Sequence, residues 1–165
     1  MKKIGIFLGF LCLMFSGCAQ KATNPEKGAN PKMNELVNSI SEKNILQSKF
    51  VGRSTEPSSQ YKAFEELMSI SDEKQLIQLT DHENGVVRSY AFWALARLKS
   101  QTVSDILKKH IKDEEKIKTI FGDIMNEVSV SDFMLELISG DDIDQDCLRL
   151  SPEQIKTFQT LKKQN

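Results

Sequence analysis

The chain has 165 residues, with 22 Lys and Arg against 23 Asp and Glu, so its formal charge is −1. That balance excludes a basic nucleic-acid binder, because neutralising several phosphates takes a clustered cationic excess. A content of 39% apolar and 27% charged residues excludes a wholly disordered chain, and eight Gly and four Pro argue against a turn-dense all-β fold.

Lys2 and Lys3 precede an uncharged apolar run from Ile4 to Phe15. The run falls short of the roughly 20 residues that span a bilayer and has the length of a signal-peptide core. Phe15-Ser16-Gly17-Cys18 follows. These residues resemble the lipobox of bacterial lipoproteins, with Phe15 where Leu is usual. The resemblance implies cleavage before Cys18, a diacylglycerol on its thiol and an acylated α-amine. It divides the chain into a signal peptide (1–17), a tether from lipidated Cys18 (18–32) and a single domain (33–165). At about 0.8 kcal/mol per buried methylene, one acyl chain binds a membrane reversibly, whereas two or three hold it. Ala19, where Asp resembles an inner-membrane retention signal, implies the periplasmic side of the outer membrane if the cell has one. An ordinary cleaved signal, with Cys18 incidental, is the other reading. Loss of Cys12 and lipidation of Cys18 would leave Cys147 without an internal partner, so the domain must stand on its core.

Ala19–Lys32 has no aliphatic side chain beyond Ala and reads as a flexible tether. From Met33 the spacing of Leu36, Val37 and Ile40 predicts a helical segment, broken only by the loop Gly52–Ser59. Tyr61, Phe64, Leu67 and Met68 predict the next helix. Asp72 and Gln75 form a capping-box pattern before Leu76, Ile77 and Leu79. After Asn84-Gly85, the line Val87, Ala91, Ala94 and Leu98 predicts a strong helix, and Val103 to Ile111 a shorter one. Ile117, Ile120, Phe121 and Ile124 read as a further helix, Met125–Val130 as irregular, and Phe133–Ile138 as a buried helix. Gly140–Leu150 is an acidic loop. Ser151-Pro152-Glu153-Gln154 supplies an N-cap, a proline at the first helical position and a capping-box Gln for the last helix. The expectation is an all-α domain of seven or eight short helices.

The segment Leu76–Leu98 resembles a HEAT-like repeat through Leu79, Asp81, Val87, Arg88, Ala91, Ala94, Leu95 and Leu98. Ile106–Phe121 echoes it with Asp113, Ile117 and Lys118, but lacks the alanine pair. The resemblance implies a short α-solenoid of antiparallel helix pairs, in which Arg88 pairs with acidic groups of neighbouring repeats. A cation in the first turn of a helix opposes the dipole, so Arg88 also calls for an acidic partner, with Asp81, Glu83 or a group on the preceding helix within reach. One such unit cannot bury its own face, so at least three stacked pairs are expected.

Few residues point to chemistry. His82 and His110 lack the spacing of a zinc helix, no phosphate-binding glycine loop or nucleophile elbow occurs, and acidic neighbours disfavour a thiolate at Cys147. Asp142, Asp144, Asp146 and Glu153 resemble positions one, three, five and twelve of an EF-hand calcium loop, with Cys147 where glycine belongs. Tyr90, Phe92 and Trp93 occupy consecutive or nearby helical positions that cannot all face one way, so one of them is a candidate aromatic anchor for a partner unless all three pack between helices. The sequence therefore predicts a non-enzymatic, membrane-tethered interaction scaffold of the bacterial envelope. It would need no cofactor, and its partner would be another envelope protein. The alternative is a small-ligand or calcium-binding lipoprotein using residues 142–153.

Overall fold

Asn30 opens the first helix: its side-chain oxygen accepts from the Lys32 N–H at 3.0 Å, and Pro31 fills the position where no N–H is needed. The computed structural model describes residues 30–140 and 143–164. Helix α1 (Pro31–Lys43) buries Leu36, Val37 and Ile40 and ends at Asn44. Asn44 adopts the left-handed conformation (φ 48°, ψ 44°) that asparagine tolerates at a helix C-terminus. The chain then leaves as strand β1 (Ile45–Val51). Helices α2 (Ser59–Ile70), α3 (Glu73–Leu79), α4 (Gly85–Arg97) and α5 (Val103–His110) follow. Strands β2 (Lys116–Gly122) and β3 (Ile124–Ser129) form a hairpin, and α6 (Val130–Ser139) and α7 (Pro152–Lys163) complete the described chain.

The expected all-α solenoid does not form; the fold is mixed, with a three-stranded sheet in the order β1-β2-β3. Strand β1 runs parallel to β2, and β2 antiparallel to β3. The HEAT-like segment does fold as a helix pair, α3 and α4, but the unit expected after it does not. Lys116-Ile117-Lys118-Thr119 alternates exposed and buried side chains, which is a strand period, not a helical one. The three-residue steps of Ile117 and Ile120 mimic a helix over the same residues. Phe121 and Ile124 are cross-strand partners around a two-residue loop, Gly122-Asp123, in which Gly122 supplies the positive φ (57°) that such hairpin turns require. Of Met125–Val130, read as irregular, Met125–Ser129 is strand and Val130 opens α6. The helical segment expected beyond Asn44 is β1, whose partner lies four helices away in sequence, as parallel pairing demands.

Helix α4 sits at the centre. It is buried without a break from Gly85 to Ala96, as a helix apolar on all sides must be. Its N-terminus packs so closely on β2 and α6 that a Cβ at Gly85 would lie 2.9 Å from both Ile117 and Val130. Trp93 is the hub of an aromatic core, with Tyr61, Phe64, Tyr90, Phe121 and Phe133 at ring-centre distances of 5.0–6.0 Å.

Helix termini match the sequence patterns well. Asp72 with Gln75 and Ser151 with Gln154 both form reciprocal capping boxes, and the Asn84 side chain accepts from the N–H groups of Val86 and Val87.

Candidate functional site

Cys18, the proposed lipid attachment point, lies outside the described residues, as does Asp142. Tyr90, Phe92 and Trp93 are in the core at 0, 0 and 1% exposure, so none of them offers an anchor at the surface. Of the two alternatives, the one in which all three pack inside holds, because α4 is covered on every side, by α2, α3, α6 and the sheet, rather than along one stripe.

The Tyr90 hydroxyl has a specific task there. It accepts from the Gln47 N–H at 2.8 Å and donates to the Gln47 carbonyl at 3.0 Å. A side chain thus takes the place of a neighbouring strand along β1, and burial pushes the phenol well above its ordinary pKa. Ser58 continues this cover: its N–H donates to the Lys49 carbonyl and its hydroxyl to that of Ser48.

Asp144 is also engaged within the fold. Its Oδ2 accepts from the Trp93 indole N–H at 2.6 Å and from Arg97 Nε at 2.5 Å. Arg97 lies over the rings of Tyr61, Phe64 and Trp93 and donates to the Tyr61 hydroxyl. Burial alone would raise the Asp144 pKa, but the hydrogen bonds from Arg97, Trp93 and the Asp146 N–H hold it below the usual carboxylate range. Asp146 is exposed, and Glu153 stands in the first turn of α7. Among the described residues no three His, Cys, Asp or Glu side chains converge as metal ligands. Burial and the Asp144 carboxylate push the Cys147 thiol up to about 12, so it stays protonated at neutral pH.

Arg88 has acidic partners: not the carboxylates of Asp81 or Glu83, but Asp113, in the segment that echoes the repeat, and Glu115. Nε and Nη2 donate to the two oxygens of Asp113 at 2.8 and 3.0 Å, Nη2 also to Glu115 at 2.6 Å, and Nη1 to the carbonyls of His82 and Glu83. All five guanidinium donors are thereby used. Asp81 pairs instead with Lys109. Arg88 ties the α3–α4 turn to the segment leading into β2, which is a structural duty.

Among the described residues, the β2–β3 hairpin presents an open surface. Phe121 and Ile124 flank a two-residue loop and so form a hydrogen-bonded pair; alternation along the ladder then turns the N–H and C=O of Met125 and Glu127 away from β2. Among the described residues no backbone group outside the hairpin bonds to them. Ile124 and Met125 are 63 and 65% exposed, and Phe50, beside the tip at the irregular end of β1, is 47% exposed. Under the hairpin's inner face runs a cleft of about 230 Å³. The strands line it with Thr119, Phe121, Ile124, Asn126 and Val128, α6 with Phe133 and Glu136, and Ile143 closes it. The Glu136 side chain has no ion-pair partner among the described residues.

No protein-family model matches the chain, and no curated protein matches it. The hairpin surface was missed in the sequence because residues 117–124 were assigned to a helix. The Gly122-Asp123 pair between two apolar runs was the signal that could have revealed it.

Proposed function

We propose that the protein is a membrane-tethered, non-enzymatic interaction module of the bacterial cell envelope, anchored by lipid on Cys18 and engaging a partner protein through the β2–β3 hairpin. The observation that carries this reading is the open β3 edge with Ile124 and Met125 exposed beside it. Folded proteins ordinarily shorten, charge or cover such edges, because unpaired strand groups recruit other chains. Glu127 is the lone charge in β3, and among the described residues no further strand pairs with its outer edge. The scaffold reading no longer needs the concave face of a solenoid.

The anchor rests on Lys2, Lys3, the apolar run Ile4–Phe15 and the lipobox-like Phe15–Cys18. Ala19 after Cys18 favours the periplasmic side of an outer membrane, where one is present. Two measurements test the reading. Cys18→Ser releases the protein from the membrane fraction after a high-salt wash; a variant that still sediments with membranes contradicts the anchor. A photoreactive amino acid at Met125 forms a protein adduct in living cells; its absence contradicts the interaction surface.

A further inference from the structure

We propose that β3 takes up an extended segment of the partner by strand addition, with an apolar side chain of that segment in the cleft beneath the hairpin and a basic one against Glu136. This rests on the interaction reading above and names how that surface recognises its ligand.

Three observations converge. The outward N–H and C=O groups of Met125 and Glu127 form the hydrogen-bonding half of a missing strand, with the alternate residue Asn126 bonded inward. Side chains directly opposite each other in a ladder share one face. Residues of an added strand opposite Ile124, Asn126 and Val128 therefore point to the cleft side, and those opposite Met125 and Glu127 point outward. The cleft, at about 230 Å³ and walled by Phe121, Val128 and Phe133, is smaller than the roughly 300–1,000 Å³ of small-molecule sites. That size suits a side chain. Glu136, at the cleft with no ion-pair partner among the described residues, gives that side of the ligand a charge preference. Backbone bonds supplying affinity, with a pocket reading alternate side chains, is the pattern of strand-addition recognition.

Charge and register disfavour two other occupants. A second copy of β3 paired about Asn126 would set Met125 against Glu127 and bring no cation to Glu136. The chain's own Ala19–Asn30 has lysines, but its one apolar side chain larger than alanine is Pro25, which has no N–H to donate in a ladder.

The probe is a capped synthetic peptide, TVTLTKTVT, which carries Val, Leu, Lys and Val on one face. Its binding to the protein as purified from cells in detergent is followed by fluorescence anisotropy, together with amide hydrogen exchange at Met125 and Glu127. The peptide binds and slows exchange at both amides. N-methylation of its Thr residues, whose N–H groups would face β3, weakens binding at least tenfold. Glu136→Lys weakens it about three- to fivefold, the worth of a partly exposed ion pair, and reverses the preference toward a peptide with Glu in place of Lys. Any of three results overturns the proposal: no binding, equal binding of the N-methylated peptide, or unchanged exchange at Met125 and Glu127. Protection that rises with protein concentration in the absence of peptide assigns the edge to a second copy and likewise overturns it. An adduct from the photoreactive group at Met125, together with equal binding of the N-methylated peptide, refutes strand addition while the interaction reading stands. Absence of the adduct refutes both.

Discussion

Strands β1 and β3 each lie at an edge of the same sheet. Gln47 on β1 has both backbone groups bonded to a buried tyrosine hydroxyl, whereas Met125 and Glu127 on β3 turn theirs to solvent. The closed edge is expensive to build: it needs a phenol fully removed from water and a loop, at Ser58, folded back over Lys49. The open edge needs only a tight turn at Gly122. Where the chain invests in closing one edge and not the other, the unclosed edge is the one available for recognition.

That contrast is broken most severely by substitutions on the closed and anchored side. Arg88→Ala removes all five donors that tie the α3–α4 turn to Asp113 and Glu115, and takes the guanidinium away from both carboxylates. We expect a loss of about 3 kcal/mol in urea denaturation, with partner binding unchanged in the protein that remains folded. Tyr90→Phe keeps the ring and deletes the hydroxyl, orphaning the N–H and C=O of Gln47. The expected cost is about 1–3 kcal/mol, and a change below about 0.5 kcal/mol would mean that the β1 edge is not closed by this residue.

A smaller effect is expected from acid. The Asp144 carboxyl lies below its unfolded value near 3.9, so its contribution is complete above that value and is lost as the pH falls through the folded pKa. Asp144→Asn should therefore flatten the acid limb of the stability profile below about pH 4. An unchanged limb would show that the Arg97–Asp144 pair is not linked to folding. At the other extreme, Met125→Lys alters only an exposed side chain on the open edge. Its expected effect on stability is within about 0.5 kcal/mol, while partner capture at the hairpin falls; a large destabilisation would show that β3 is packed and not open.

Much of the helical framework is legible from short-range chemistry. Asp72 with Gln75, Asn84 before Gly85, and Ser151-Pro152 with Gln154 each satisfy orphan N–H groups within a few residues, so their outcome needs no distant partner. The sheet is different in kind. Ile45–Val51 becomes a strand because Lys116–Gly122 is beside it, and that partner lies beyond four intervening helices. Ile117, Ile120, Phe121 and Ile124 fit a helical stripe as well as a hairpin, and the local pattern alone does not decide between them. Only Gly122-Asp123 marks the turn. The aromatic residues Tyr90, Phe92 and Trp93 leave both readings open in the sequence for a related reason: an anchor and a core residue have the same composition, and only the cover supplied by α2, α3, α6 and the sheet distinguishes them.

The most direct test is native-state amide hydrogen exchange on the full-length protein in the absence of any partner. An open β3 beside a closed β1 predicts fast exchange at Met125 and Glu127, with slow exchange at Gln47 and Asn126, whose N–H groups are bonded to Tyr90 and to β2. Exchange at Met125 and Glu127 as slow as at Gln47 would contradict it, because the edge would then already be covered.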